Sequence, residues 1–540
     1  MKVAVISHGV SAAFAFLMVA AAVPWMLDAT LPKWIILWAA VLVAWIPLMR
    51  SGLRLDRIDM LALALVAWAA ISIWFSADPA GSLDVLPRFG APFLLFIALR
   101  RYDVQGWNWV VPAALAAAVF IGMTDWVPFE GFQNPNAVTL FVLIAIPLLL
   151  RSLAGILLAG GSLIYLLFFN ASLHELAAFA LWATILAVVM TPGDWKWPIG
   201  GLMVGIALSA LILGVHAEAL VYESVATRLD MWLGGLAAWV QSPVLGTGLG
   251  TFGHVFPMHG DAALRWIPDL VPFSVEPATY TYEAHNDILQ VLIELGLIGI
   301  ALTAALVWVT LRESHRETIS SNRIWSSLLS NLALLSLGTA GLLCLIDFPL
   351  QHPATAALVA FAAAQVAPAR LMPYRDALGR SPALIGLLAC WPLVLAPSMV
   401  QAEGHFSWAM TYKNLPATDD ASYEALVHHN MAYNLRPGSF RIRLGLYDTA
   451  MWFDDRFPGE ITEMDIDNAW QISKSASPMH TALLMDRLGY LTRRGDCIGA
   501  LESYLLVGLR RNECVDVFND LLRTASRRRG VASIIKENER

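Results

Sequence analysis

Apolar residues run along this chain in stretches of about 15–22, broken by short polar segments, as far as residue 400. Beyond that point they recur only every third or fourth position. A helix needs about 20 apolar residues to cross the hydrocarbon layer of a bilayer. Backbone polar groups have no water partner there, so helices are the expected form. The pattern predicts thirteen spans, near 10–27, 34–49, 58–75, 85–99, 107–123, 137–150, 153–169, 174–190, 198–214, 286–310, 325–346, 354–368 and 382–400. The first has Lys2 ahead of it and Ala20, Ala21 and Ala22 late in it, like a secretory leader. Twelve spans follow, so it reads as an uncleaved anchor.

The polar breaks set the orientation, because Lys and Arg favour the cytoplasmic side. With a cytoplasmic N-terminus, that side carries Lys2, Arg50, Arg54, Arg57, Arg100, Arg101, Arg151, Lys196, Arg312, Arg316, Arg323, Arg370, Arg375 and Arg380. The other side, before residue 400, carries only Lys33, Arg88, Arg228 and Arg265. An odd number of spans then puts residues 401–540 outside the cytoplasm. The expectation is an all-α polytopic inner-membrane protein with two parts. Residues 1–400 form the membrane domain, with a long periplasmic loop at 215–284, and residues 401–540 form a periplasmic helical domain.

Composition agrees with this reading. The 540 residues are 58% hydrophobic and 14% charged, against about 45–50% and 25% in soluble domains. The net charge of −7 says little about the partners of a chain that lives in lipid, and nothing points to nucleic acid. Of four cysteines, Cys344 and Cys390 fall in spans and read as small apolar side chains. Cys497 and Cys514 lie in the external tail, where a disulfide is chemically allowed, but each begins a successive helix, which sets them far apart. No zinc-ligand spacing occurs, so no metal is expected.

In the tail, "DDASYEALVHHNMAYNL", "RIRLGLYDTAMWF", "MHTALLMDRLGYLTRRGD" and "ALESYLLVGLRRNE" have helical periodicity and Pro-Gly or Gly-Asp breaks. They predict TPR-like hairpins without a strict repeat, or a plain helical bundle. Such a surface suits a protein partner or an acceptor chain.

The long loop holds the candidate chemistry. It opens with "ESVATRLDMWLGGLAAWV", an interfacial helix with Arg228 and Trp232 on one face. Next comes "SPVLGTGLGTFGHVF", where Gly248, Gly250 and Gly253 fit G-x-G-x-x-G. A dinucleotide fingerprint must follow a strand and open a helix inside a βαβ unit. These glycines follow an interfacial helix outside the cytoplasm, so nucleotide binding is rejected. The remaining readings are tight turns and close backbone approach to a bulky ligand. The loop closes with "TYEAHNDILQVLIELGLIG", which puts His285 and Asn286 at a helix start, with Asp287, Gln290 and Glu294 along one face. A carboxylate inside a span signals a partner or a function. The loop has seven acids and two cations, Arg228 and Arg265. With Arg88 just inside the fourth span, these arginines and His285 can converge on an anion such as a diphosphate.

Four stretches together resemble the O-antigen ligase and polymerase superfamily, which includes pilin O-oligosaccharyltransferases. "TRLDMWLGGLAAWVQSPVLGTGLGTF" is similar to its Arg…Trp…Pro…Gly-x-Gly element, and "AHNDILQVLIELGLIG" to its His-Asn helix start followed by Glu-x-Gly. "GFQNPNAVTLF", with Asn134 and Asn136, resembles a Phe-x-Asn-Pro-Asn segment, and "IDFPLQHPATAAL" an Asp-Phe-Pro turn. The resemblance spans roughly residues 50–370. It implies a GT-C-like glycosyltransferase that takes a glycan from an undecaprenyl-diphosphate carrier at the periplasmic face, without metal or nucleotide sugar, and inverts the anomeric carbon. The acceptor it implies is a glycan chain, the lipid A core or a protein. By position, His285 is the candidate base or acceptor-orienting group and Arg228 holds the diphosphate, with Arg265 and Arg88 as helpers. Asn286, Asn136 and Trp232 are candidate substrate contacts. Many members carry Ser-Arg-Gly at the outer start of a middle span, whereas this chain has Leu173, His174 and Glu175 there. Either His174 takes part of that role or the diphosphate contacts differ. A transporter or flippase for lipid-linked saccharides is the competing class. Transporters gather polar residues near the midplane, whereas His285, Arg228, Asn134 and Asn136 crowd the outer face.

Overall fold

The computed structural model describes residues 30–51, 55–102, 135–150, 152–169, 218–259, 283–320, 324–369, 381–414, 419–457, 459–477, 481–494 and 503. Among these residues all regular structure is helical. The apolar runs become α1 (Leu31–Ser51), α2 (Arg57–Ser72), α3 (Pro79–Leu99), α4 (Pro135–Leu149) and α5 (Leu153–Phe169). The loop supplies α6 (Glu218–Gln241) and the single turn α7 (Phe252–Val255). Then come α8 (Asp287–Ser320), α9 (Ile324–Leu343), α10 (Pro353–Val366) and α11 (Ser381–Asn414). The tail holds α12 (Asp419–Leu435), α13 (Phe440–Asp454), α14 (Glu463–Ala476) and α15 (Thr481–Arg494).

Nine of the thirteen expected spans coincide with helices. Those near 10–27, 107–123, 174–190 and 198–214 lie outside the described residues, as do Cys497 and Cys514. Three described segments are long and apolar enough to cross a membrane on their own: Arg57–Phe75, Pro79–Leu99 and Asp287–Ser314. The surface is that of a lipid-immersed bundle. Trp74 is 85% exposed, Leu153 74% and Trp308 67%, placements that are costly in water and ordinary in hydrocarbon. Inside, α1, α3, α4 and α10 build one apolar core with Trp45, Ile97, Leu140, Leu143 and Phe361. The Trp45 indole N–H donates to the Leu94 carbonyl at 3.0 Å, and the Ser336 hydroxyl to the Ile144 carbonyl at 2.7 Å. These two polar groups inside the bundle find partners on neighbouring helices, as the absence of water favours.

Polar contacts sort the loops into two groups at opposite ends of the bundle. At one end, Asp56 caps α2 and forms a capping box with Asp59. Arg100, just past α3, bonds both carboxylates, and its Nε donates to the Ala367 carbonyl at 2.6 Å. Burial alone would raise the Asp56 carboxyl; the Arg100 guanidinium overrides it and holds the group below its ordinary value. At the other end, the turn after α2 meets the glycine-rich loop: the Ala77 N–H donates to the Thr247 carbonyl at 2.9 Å. The starts of α8 and α10 lie at this end too, as does the tail.

Helix α11 runs unbroken across residue 400 and carries the chain into the tail. The tail then folds back. Arg443 of α13 bonds both oxygens of Asp78, the N-cap of α3, with Nη1 at 3.0 Å from Oδ1. Arg436 forks onto Asp84 at 2.7 and 2.8 Å and reaches Glu403 of α11 at 3.0 Å. His254 donates from Nδ1 to the Ala476 carbonyl at 3.0 Å, and burial pushes its imidazole below the ordinary value. Paired, hydrogen-bonded and largely dry, these contacts make the tail part of this end of the bundle.

Candidate active site

The site grows from the first turn of α8. Asn286 caps it: its Oδ1 accepts from the Leu289 N–H at 2.9 Å, and its Nδ2 donates to the Leu345 carbonyl at 3.0 Å. The residue before it, His285, has a left-handed backbone with φ +48°. For a non-glycine residue that conformation costs free energy, and it persists only where surrounding contacts enforce it. Those contacts are visible. The His285 ring stands edge-on to Phe348, with centroids 4.6 Å apart. Its Nδ1 lies 3.3 Å from Oδ1 of the buried Asp347, within ion-pair reach though not aligned as a hydrogen bond. Asp347 is fixed in turn by the Phe348 N–H, which donates to Oδ1 at 2.9 Å. The turn between α9 and α10 is held onto α8 by Asp287, whose Oδ2 accepts from the Leu350 N–H at 2.9 Å. Cys344 is buried beside this turn, as expected for a small apolar side chain.

Phe348 also packs against His352, with ring centroids 5.0 Å apart. Desolvation pushes the His352 imidazole down to about 4, and the charges of Asp347, Lys33 and His285 act on it as well. His352 is therefore neutral at pH 7. This end thus collects two histidines, an aromatic ring in contact with both and a buried carboxylate.

Helix α6 reaches the same place. The Trp232 indole N–H donates to the Ala284 carbonyl, the residue before His285, at 2.6 Å. Arg228 is one helical turn earlier on α6, so the two side chains share a stripe, and Arg228 is half-buried. Of the residues singled out from sequence, the fold thus brings Trp232 against the residue before His285 and Asn286, and Arg228 lies one turn from Trp232 on the same helix. Arg88 sits half-buried on α3, one turn past Asp84; the neighbouring Val85 and Phe89 pack near Leu249 and Leu295. Asn136 falls in the first turn of α4, its side chain outside the described residues. Arg265 and His174 lie outside them entirely.

The glycine-rich stretch has a different task from ligand contact. Gly246, Gly248 and Gly250 have φ of +82°, +106° and +71°. A Cβ on Gly246 would lie 2.3 Å from the Glu294 carbonyl oxygen, one on Gly248 2.5 Å from Ser76, and one on Gly250 2.8 Å from Val85. The loop is pressed against protein on three sides. α8 breaks where the loop meets it: Gly296 has φ +65° and ψ −165°. The carbonyls freed by the break accept from loop and helix donors. Thr247 N–H reaches Ile293, Gly248 N–H reaches Glu294, both at 2.9 Å, and the Trp68 indole reaches Leu295 at 2.9 Å. The Glu294 carboxylate completes the clamp, accepting from the N–H groups of Gly250 at 2.7 Å and Phe252 at 3.1 Å, and from Gln290 Nε2 at 3.0 Å. The carboxylate flagged in the sequence is thus buried with a full set of donors.

Asp347 and His352 escaped the residue-level reading. They stand about 60 residues from His285, in a stretch whose only signal was its Asp-Phe-Pro pattern. Among the described residues no group of three or more metal-ligating side chains converges.

These features define a helical membrane protein whose histidine, carboxylate and arginine gather at one end of the bundle. Residues 138–304 match the family model described as O-antigen ligase, which supports membership of the O-antigen ligase/polymerase superfamily. The matched stretch runs from α4 to the first half of α8 and contains Arg228, Trp232, His285, Asn286 and Glu294. It supports a glycosyl-transferring enzyme of the ligase or polymerase type. No curated protein matches the chain.

Proposed function

We propose that the protein transfers a glycan from an undecaprenyl-diphosphate carrier to a hydroxyl of a growing polysaccharide or lipid A core, at the periplasmic face. The observation that carries this reading is the His285–Asp347 pair at the tail-bearing end of the bundle, 3.3 Å apart and joined to the Arg228 helix through Trp232. A carboxylate at Nδ1 favours the tautomer with the proton on that nitrogen and leaves the Nε2 lone pair open. Nε2 then takes the proton of the attacking hydroxyl as its oxygen bonds the anomeric carbon and the bond to the diphosphate oxygen breaks. Arg228 stabilises the negative charge that grows on the departing diphosphate. Attack opposite the leaving group inverts the anomeric carbon. Base and counter-ion both come from the protein, so the scheme runs without metal.

The test is reconstitution in liposomes with lipid-linked glycan in one leaflet at a time, with and without EDTA. Product of inverted configuration, insensitive to EDTA and formed only from the leaflet on the tail side, is the expected result. Product formed from the opposite leaflet overturns the proposal.

A further inference from the structure

The tail carries a partly exposed ring cluster beside one of its cores. Where α11 meets α12, the core is filled by Ala402, Phe406, Ala432 and Ile442. Beside that core, His405, Trp408 and Tyr412 form one stripe of α11, at spacings of three and four residues. His428 of α12 inserts among them. Its ring is nearly parallel to Tyr412 (5.8 Å, 11°), Trp408 (6.4 Å, 26°) and His405 (5.0 Å, 30°). The His405 and His428 Nδ1 atoms share a hydrogen bond of 2.7 Å, which fixes both rings. Trp408 is 53% exposed. Glu424 stands at the edge with Oε2 3.6 Å from His428 Nε2, and its side chain is half open to solvent.

Near-parallel rings with a half-exposed indole and a carboxylate at the rim have the chemistry of a saccharide subsite. The C–H face of a pyranose stacks on a flat aromatic ring, while its hydroxyls bond to carboxylate and imidazole at the edge. An apolar peptide or an acyl chain would have no use for the Glu424 and histidine rim. Trp408 also stands eight residues, about 12 Å at the helical rise, beyond the apolar run that ends near residue 400. That lifts it clear of the hydrocarbon.

We infer that Trp408, Tyr412, His428 and Glu424 form a binding platform for an extended saccharide, holding the acceptor chain at a distance from His285. The inference rests on the proposed glycan-transfer reading for the identity of that chain; the binding itself does not.

The experiment uses full-length protein in nanodiscs and length-fractionated saccharides cut from the surface polysaccharide of the source cells. Equilibrium binding is measured for wild type, Trp408→Ala, Trp408→Phe and His285→Ala, with hydroxyl-radical footprinting of Trp408 and Tyr412. Affinity should rise with saccharide length. Loss of one stacking ring in Trp408→Ala should weaken binding about tenfold, whereas Trp408→Phe keeps most of it. The footprint of both rings should be strong in the free protein and fall on adding saccharide. Binding should persist in His285→Ala, so failure of the transfer scheme and failure of the platform are separate results. Equal affinity in wild type and Trp408→Ala overturns the inference. So does a Trp408 already protected without saccharide, which would assign the rings to lipid or to another protein.

Discussion

At the residue scale the account turns on His285 and the groups that hold it. In the proposed mechanism Asp347 acts through the imidazole, so Asp347→Asn should leave substrate binding intact and lower the transfer rate about 100-fold or more, by analogy with other histidine-orienting carboxylates. A rate within twofold of wild type, measured in the reconstituted assay, would remove Asp347 from that role. Glu294 is a structural counterpart. Glu294→Ala strands the Gly250 and Phe252 N–H groups in a buried site and should cost roughly 2–5 kcal/mol, read as a lower midpoint in thermal unfolding. His285, Asn286 and Glu294 drew attention in the sequence because a polar residue at the start of a span, or inside it, stands out against apolar neighbours. Asp347 did not, because nothing in a one-dimensional pattern says which of two distant helix ends will face each other.

At the element scale, the helices were legible wherever an apolar run was long. α14 was missed because its sequence, "EMDIDNAWQISKSA", is mostly polar and buries only a narrow stripe led by Ile466, Ala469 and Trp470. The break in α8 was also hidden, since Gly296 alone in an apolar run reads as a tolerated glycine. The structure makes it the hinge of the loop clamp. A Cβ there would lie 2.3 Å from the Val244 carbonyl oxygen, at a positive φ. Gly296→Ala should therefore cost about 3 kcal/mol or more, whereas alanine at Gly160, which meets nothing within 4 Å, should be neutral by the same thermal assay. In the tail, burial pushes His429 of α12 from 6.5 down to about 4, with its Nε2 held 2.8 Å from the Ile442 carbonyl. The unfolded chain takes up that proton near pH 6.5 and the folded one only near 4. Stability is thus whole above about 6.5 and falls by roughly 3 kcal/mol as pH drops to 4. Hydrogen exchange of α12 and α13 should quicken over that window, and His429→Gln should flatten the dependence.

At the scale of the whole molecule, the tail is anchored to the end of the bundle that carries His285. Sequence announced an external helical domain but gave no sign of where it docks, because Asp78, Asp84, Arg436 and Arg443 read as ordinary surface charges. Asp78→Ala would leave the Arg443 guanidinium buried without its partner, at a cost of about 3–5 kcal/mol, and should raise exchange across α12–α14. Unchanged exchange would mean that the tail is held by other contacts. Removing residues 401–540 would sever α11 in mid-helix and strip Asp78 and Asp84 of Arg443 and Arg436. The central claim is that an imidazole at this end of the bundle takes the acceptor proton. Its most direct measurement is the single-turnover rate of glycan transfer by purified His285→Ala in nanodiscs, alongside its thermal midpoint and its uptake of lipid-linked glycan. The account predicts a folded protein that binds the donor and forms no product; transfer at the wild-type rate would contradict it.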